Sequence, residues 1–277
     1  TGGTGIEMRS GDLIVNGGTI TGTYKPLKVD SNGNGTTTKG AGIAIAQHTT
    51  KKDINVNIKG GTIEGLVPVH QSNPEKNADI KDQVKLEITD GTFNVINEGT
   101  TAVYSENFEG FISGGAFSSD IPENYIDKDL EEVIQDGVHY VGAKNKITVE
   151  KDGEGEAKVD YEEAVEGQTI TITATPAEGY KVKSIEVTTS EATIDVEDNK
   201  FTMPNDEVKV KVTFEKEEVK VETPEDDTVS SETEKLPENP KTNDAITMVI
   251  TVLGISLIGV VSTLYMKKKY NINLSKN

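Results

Sequence analysis

The feature that most constrains the fold is a short glycine-centred phrase that recurs four times in the first half of the chain. Each copy has an apolar residue, a variable residue, Gly or Asp, Gly, Thr or Ala, and then Ile or Phe. The copies occupy residues 15–20, 58–63, 88–93 and 112–117. Because glycine readily adopts positive φ angles, each phrase predicts a sharp bend between two short strands.

Strands that alternate apolar and polar residues precede two of these bends, at residues 54–58 and 84–88. Short strands broken by glycine at recurring positions are typical of a solenoid, in which stacked units bury a continuous apolar column. The phrase resembles the repeats of right-handed parallel β-helices in bacterial surface proteins. We therefore predict an all-β chain in which residues 1–142 form a right-handed parallel β-helix-like solenoid, closed by residues 118–142. A β-sandwich of the same short strands is the alternative.

Residues 145–215 form a second block of strand-like segments, separated by Gly, Pro, Asn and Asp. This pattern predicts a small all-β module of about 70 residues. The phrases at residues 173–180 and 201–206, with the closing Val-x-Val-x-Val-x-Phe strand, resemble the divergent internalin B-type bacterial repeat. That resemblance implies a spacer or display module without an active site. Residues 216–238 are acidic and poor in large apolar side chains, which predicts a disordered linker.

An uncharged apolar run of 22 residues extends from Ala245 to Met266. A helix of this length spans about 30 Å, the thickness of the hydrocarbon core of a bilayer. The basic tail, residues 267–277, begins with Lys267, Lys268 and Lys269, which predict a cytoplasmic end. We therefore predict one C-terminal transmembrane helix over residues 245–266.

A five-residue motif stands just before the apolar run and reads Asn239, Pro240, Lys241, Thr242 and Asn243. With the helix and the basic tail, it resembles a Gram-positive cell-wall sorting signal of the class recognised by sortase B-type enzymes. The resemblance implies that a sortase cleaves after Thr242 and transfers the Thr242 acyl group to a peptidoglycan amine. Residues 239–277 are then a sorting signal, and the mature protein is extracellular and anchored to the cell wall. A permanent single-pass membrane anchor is the alternative.

The composition excludes several classes of function. The formal net charge of −19 disfavours nucleic-acid binding, because that function requires basic patches that neutralise phosphates. The chain contains no Cys and therefore no disulfide framework. It starts at Thr1 without an export signal, so we expect it to be the C-terminal part of a longer exported protein.

One loop resembles part of a metal site. Asp30, Asn32 and Asn34 have the spacing of the first half of a calcium-binding loop. The twelfth position is Ala41, where such a loop places a bidentate acidic side chain. We therefore expect no metal and no cofactor, with Ca²⁺ at this loop as the alternative.

The histidines lack the spacing of metal ligands, so we expect them at the surface or in loops; they are His48, His70 and His139. An extracellular polysaccharide-degrading β-helix enzyme is the competing function, and Arg9 is the only arginine that could serve it as a base. The carboxylates do not have the spacing of an acid/base pair; they are Asp12, Asp30, Asp53, Asp79, Asp82 and Asp90. We therefore expect no catalytic residue and predict a stalk, display or adhesin portion, whose host or glycan ligand the sequence does not specify.

Overall fold

The computed structural model describes residues 3–23, 28–31 and 36–218, which belong to one compact unit, Thr1–Lys220. The described residues form an all-β structure, as predicted at that level. The N-terminal region contains a short helix, α1 (Ile80–Gln83), and eleven strands: β1 (Ile6–Met8), β2 (Gly11–Val15), β3 (Thr19–Thr21), β4 (Lys28–Ser31), β5 (Thr36–Lys39), β6 (Ala41–Ile45), β7 (Ile54–Gly65), β8 (Val67–Gln71), β9 (Val84–Val95), β10 (Val103–Ser105) and β11 (Gly115–Phe117).

Two sheets with parallel strands organise this region. Sheet A contains β1, β6, β8 and β10 in that order. In sheet B, β2 and β3 both pair with β7, and β9 and β11 follow. Each of these pairings is parallel. Successive copies of the glycine-centred phrase are therefore hydrogen-bonded neighbours, about 4.8 Å apart.

Glycines form the bends in β7 and β9, and corresponding glycines precede β3 and begin β11. Gly18, Gly61, Gly91 and Gly115 have φ angles between 83° and 131°. A Cβ atom added to Gly61 would lie 2.9 Å from the carbonyl oxygen of Gly18, and one on Gly115 would lie 2.9 Å from that of Gly91. Glycine is therefore required both for the backbone conformation and for the close approach of the neighbouring copy.

Apolar columns fill the space between the sheets. Ile58, Ile88 and Ile112 are in register, and none of the three is exposed. In a second column the rings of Phe93 and Phe117 stack with their centroids 4.6 Å apart. Since full burial of one such side chain contributes about 1.5–3 kcal/mol, these columns are a major source of stability.

A hairpin ends the series of parallel strands. It consists of β12 (Glu131–Gln135) and β13 (Val138–Gly142). Asp136 and Gly137 have φ angles of 53° and 78°, and positive values at both central residues are required by a type I′ turn. β13 pairs antiparallel with β11, so the hairpin occupies the edge of sheet B that another parallel strand would otherwise extend.

The C-terminal module has two further sheets and its own hydrophobic core, which includes Ile147, Ile170, Val210 and Phe214. Its strands are β14 (Lys144–Asp152), β15 (Gly155–Val159), β16 (Glu163–Val165), β17 (Thr169–Pro176), β18 (Tyr180–Thr188), β19 (Thr193–Ile194), β20 (Lys200–Thr202) and β21 (Val208–Lys216). One sheet has the order β16-β14-β21-β18-β19, and the other has the order β15-β17-β20. The first and last strands, β14 and β21, are parallel neighbours in the larger sheet.

Most of the predicted linker, the motif 239–243, the predicted transmembrane helix 245–266 and the basic tail lie outside the described residues. Within residues 3–23, 28–31 and 36–218, no helix is long and apolar enough to cross a membrane.

Candidate functional site

The calcium candidate lies on the β4–β5 hairpin. β4 places Asp30 opposite Thr37 of β5, whereas Asn32 and Asn34 lie outside the described residues. In the part of the chain that the structure describes, no group of three or more His, Asp or Glu side chains is arranged to hold a metal ion. Ca²⁺ at this loop therefore stays a prediction, because two of its three candidate residues lie outside the described residues.

The candidate catalytic groups form local structural contacts. The Arg9 guanidinium lies 3.0 Å from a carboxylate oxygen of Glu7, a residue that the sequence did not single out. The Asp12 carboxylate accepts a hydrogen bond of 2.6 Å from the side-chain amide of Asn55 on the neighbouring strand. The Asp90 carboxylate accepts a hydrogen bond of 2.6 Å from the backbone N–H of Gly91 at the bend of β9. These contacts support strand pairing and turn geometry.

The three histidines lie in different environments. Half-buried His48 contacts the neighbouring hydroxyl of Thr49 at 3.1 Å. His70 on β8 and His139 on β13 are only 8% and 7% exposed, so the prediction of surface or loop positions is wrong for both. Burial of His139 is possible because its ring nitrogens face two carboxylates, those of Glu132 at 2.7 Å and Asp120 at 3.3 Å.

The side of sheet A away from the core carries polar and aromatic residues, of which Tyr104 and Glu106 are exposed, whereas Ala44, Ala46 and His70 are buried. Ile43, Val69 and Val103 belong to the hydrophobic core, so the residues that alternate with them point outward. The strand register places four outward residues in one row, which reads Glu7, Ala44, His70 and Tyr104.

The parallel pairing continues beyond the ends of these strands. The backbone N–H groups of Ala46, Ser72 and Glu106 donate to the carbonyl groups of Met8, Ile45 and Gln71, respectively. A second outward row therefore reads Arg9, Ala46, Ser72 and Glu106. We call the surface formed by these two rows the outer face of sheet A.

An aromatic pair lies at one edge of this outer face. The rings of His70 and Tyr104 stack with centroids 4.9 Å apart and an interplanar angle of 23°. Tyr104 is 41% exposed, whereas His70 is nearly covered. Burial lowers the pKa of His70 below its ordinary value, and this effect exceeds the opposing effects of a hydrogen bond with its own backbone and of the nearby Glu106 carboxylate. The imidazole is therefore neutral at pH 7.

The closing hairpin also forms a joint with the C-terminal module. The side-chain amide of Gln135 accepts a hydrogen bond of 2.9 Å from the Thr169 N–H and donates one of 2.8 Å to the Thr169 carbonyl oxygen. An added Cβ on Gly167 would lie 3.1 Å from the Tyr140 ring, which shows how closely the backbone approaches the ring. Burial raises the pKa of Glu166, and the nearby carboxylate of Asp90 adds to the shift.

A groove of about 920 Å³ beside the closing hairpin carries five carboxylates, those of Glu109, Glu123, Asp127, Glu131 and Glu132. Two of them already have cationic or imidazole partners. Glu131 lies 2.9 Å from the Lys144 ammonium, and Glu132 contacts His139. The groove is therefore acidic, with part of its charge used in internal contacts.

Comparison with known protein families finds a match to the C-terminal module. Residues 145–218 match the family model described as the divergent InlB B-repeat domain, a bacterial surface repeat. This match confirms the resemblance predicted for residues 145–215. Neither the curated proteins nor the solved structures contain a significant match to the chain.

Proposed function

We propose that this chain is the non-catalytic stalk and display portion of a Gram-positive surface protein, joined covalently to peptidoglycan at Thr242 by a sortase B-type enzyme. The observation that carries the proposal is the order of the C-terminal segments. The motif 239–243 directly precedes an uncharged run of 22 residues, and three lysines follow that run. The precursor crosses the plasma membrane once, and the processed protein lies outside the cell.

The folded part of the chain supports a stalk. The N-terminal region and the C-terminal module follow one another in the chain, and the Gln135–Thr169 hydrogen bonds join them. The match of residues 145–218 to a bacterial surface repeat favours the same compartment. In this proposal the acidic linker, residues 216–238, is the tether through the wall.

We also propose that the N-terminal region is a right-handed parallel β-helix. The parallel pairing of successive glycine-centred phrases and the aligned apolar columns support this architecture. A crystal structure of residues 1–220 tests it, because the path from one copy to the next can be traced directly. A left-handed path, or two sheets that do not share a winding chain, would contradict the proposal.

Substitution of Thr242 tests the attachment. The chain is exported behind a secretion signal in a Gram-positive host that expresses a sortase B-type enzyme, and cell fractions are compared. We expect Thr242→Ala to abolish release of the protein from the wall fraction by lysozyme, because the acyl transfer requires recognition of the threonine. Thr233→Ala makes the same chemical change in the acidic linker and should leave release unchanged.

The same fractions distinguish the membrane alternative. If the unsubstituted chain remains in the detergent-soluble membrane fraction, it is a permanently anchored protein and the sortase proposal is wrong. If Thr242→Ala is released from the wall as efficiently as Thr233→Ala, attachment at Thr242 is also wrong.

A further inference from the structure

Polar atoms without hydrogen-bond partners are concentrated around the outer face of sheet A. Within the described residues, the Nδ1 atom of His70 and the hydroxyl oxygens of Ser72 and Thr38 are buried and have no partner. Thr38 lies near the opposite edge of the sheet, where its backbone N–H donates to the carboxylate of Glu7 on β1 at 3.3 Å. A buried polar atom without a partner costs about 1–3 kcal/mol, so the neighbouring atoms of His70 and Ser72 favour a ligand that offers hydrogen-bonding groups.

The atoms of His70 and Ser72 belong to neighbouring positions on the side of sheet A that faces away from the core. His70 and Ser72 are two residues apart on the same side of one strand, a separation of about 7 Å. Their neighbours in the next strand are Tyr104, which is 41% exposed, and Glu106, which is also exposed. Because exposed side chains change rotamer within nanoseconds, small movements of these two neighbours can uncover the polar atoms.

The adjoining aromatic ring provides an apolar platform. Tyr104 stacks on His70, while a large part of its surface is open to solvent. A ligand that fits here must have an apolar face for the ring and several groups that both donate and accept hydrogen bonds. A sugar ring has this combination, since its C–H groups lie on one face and its hydroxyl groups project around its edge.

The charges on the outer face disfavour other ligand classes. Glu7 and Glu106 carry carboxylates on the face, which repel phosphates and other strong anions. The Arg9 guanidinium lies on the same face, paired with Glu7 at 3.0 Å, and disfavours a cation. A neutral polyhydroxylated ligand is therefore preferred over either charged class.

We propose that the outer face of sheet A binds a saccharide, with Tyr104 as the stacking platform and His70 and Ser72 as hydrogen-bonding partners of the sugar hydroxyls. The site lies in the N-terminal region and does not depend on attachment at Thr242. The proposal assigns a class of ligand to the N-terminal region. The role of Tyr104 in binding can be tested separately from attachment to the cell wall.

Binding is tested with residues 1–220, which form one compact unit with their own hydrophobic cores. The fragment is applied to an array of immobilised saccharides that contains neutral hexoses, N-acetylhexosamines, deoxyhexoses and uronic acids. Saturation-transfer NMR then measures the dissociation constant for the best-retained free sugar. We expect retention on at least one neutral sugar, because the stacking surface and the hydroxyl partners are already in place.

Three substitutions locate the site. Tyr104→Ala should weaken binding about tenfold or more through loss of the stacked ring, whereas Tyr104→Phe should retain most of it. Ser72→Ala should weaken binding about fivefold. Tyr161→Ala is the matched control, because Tyr161 is also 41% exposed but lies in the C-terminal module.

Three results would overturn the proposal. They are no retention on any sugar of the array, unchanged binding by a Tyr104→Ala variant, and equal loss of binding by Tyr161→Ala. Thermal unfolding of each variant ensures that a loss of binding does not reflect a loss of structure. If Tyr104→Ala fails to fold, Tyr104→Phe and Ser72→Ala decide the matter, because the first must retain binding and the second must weaken it.

Discussion

The N-terminal region and the C-terminal module are both built from short strands with turns at positive-φ glycines, yet Gly61 in the first and Gly179 in the second serve different purposes. In the N-terminal region Gly61 packs against the backbone of Gly17 and Gly18 in the neighbouring copy. In the C-terminal module Gly179 also has a positive φ angle, but an added Cβ would meet no atom within 4 Å. Gly61 thus allows neighbouring copies to approach closely, whereas Gly179 only turns the chain.

The largest effect on stability is therefore expected when a methyl group is added at a glycine that packs against a neighbouring copy. Gly61→Ala should destabilise β7 and β9 by about 2–4 kcal/mol, because it combines a strained φ angle with a backbone clash. Gly179→Ala should cost only about 1 kcal/mol, since the strain is not accompanied by a clash. Hydrogen exchange of residues 1–220, followed by mass spectrometry, measures the opening free energy of each region separately.

The comparison fails if the two glycine variants lose the same amount of stability. It also fails if Gly61→Ala accelerates exchange in β14–β21 as much as in β7 and β9. Either result would mean that the two regions unfold as one and that the stacked glycines have no special role.

A smaller effect is expected at the joint between the regions. Gln135→Ala removes both hydrogen bonds to Thr169 and should destabilise the local structure by about 1–2 kcal/mol. The specific readout is the Thr169 amide, whose N–H donates to Gln135 and should exchange faster in the variant. Glu131→Ala on the same strand removes only a surface ion pair and should leave this amide unchanged. Equal exchange rates in Gln135→Ala and the unsubstituted chain would show that the joint does not depend on this amide group.

The smallest effect concerns Glu166 at the same joint. Because burial raises its pKa, the native state binds the proton more tightly than the unfolded state, and this carboxylate lowers stability at neutral pH. Its unfavourable contribution fades as the pH falls through the raised pKa. Glu166→Gln should therefore raise Tm slightly at pH 7.5, on the order of 1 °C, and give no gain below about pH 4.

Thermal unfolding at the two pH values checks this prediction. Glu178→Gln is the control, because Glu178 is exposed and lies in the same module. An equal rise in Tm for both variants at pH 7.5 would attribute the effect to net charge rather than to the joint.

The regular part of the fold could be predicted from the sequence because each copy of the glycine-centred phrase needs a glycine with a positive φ angle at its bend. Gly18, Gly61, Gly91 and Gly115 have the positive φ angles that the phrase predicts. The alternating residues 54–58 and 84–88 lie in β7 and β9, with their isoleucines and valines buried. The resemblance of the C-terminal module also rested on local phrases, and the family match supports it.

The features that were missed depend on contacts between distant residues. The Gln135 amide could not be paired with Thr169, because the two positions are 34 residues apart and neither belongs to a glycine-centred phrase. The outer face of sheet A requires the register of four strands, although alignment of Ala44, His70 and Tyr104 within their apolar strands offers a signal. Burial of His139 follows from its carboxylate neighbours, which spacing alone does not reveal.

The parallel pairing of β14 with β21 has a mechanical consequence. The chain enters the module at the start of β14 and leaves it at the end of β21, so the two attachment points lie at opposite ends of neighbouring strands. A pulling force between these points acts along the strands and loads the hydrogen bonds from the Ile147–Val208 pair to the Asp152–Thr213 pair in shear. Such bonds must yield together, whereas the bonds of an antiparallel hairpin pulled from its open end yield one at a time. The module therefore resists extension along the direction in which the chain passes through it.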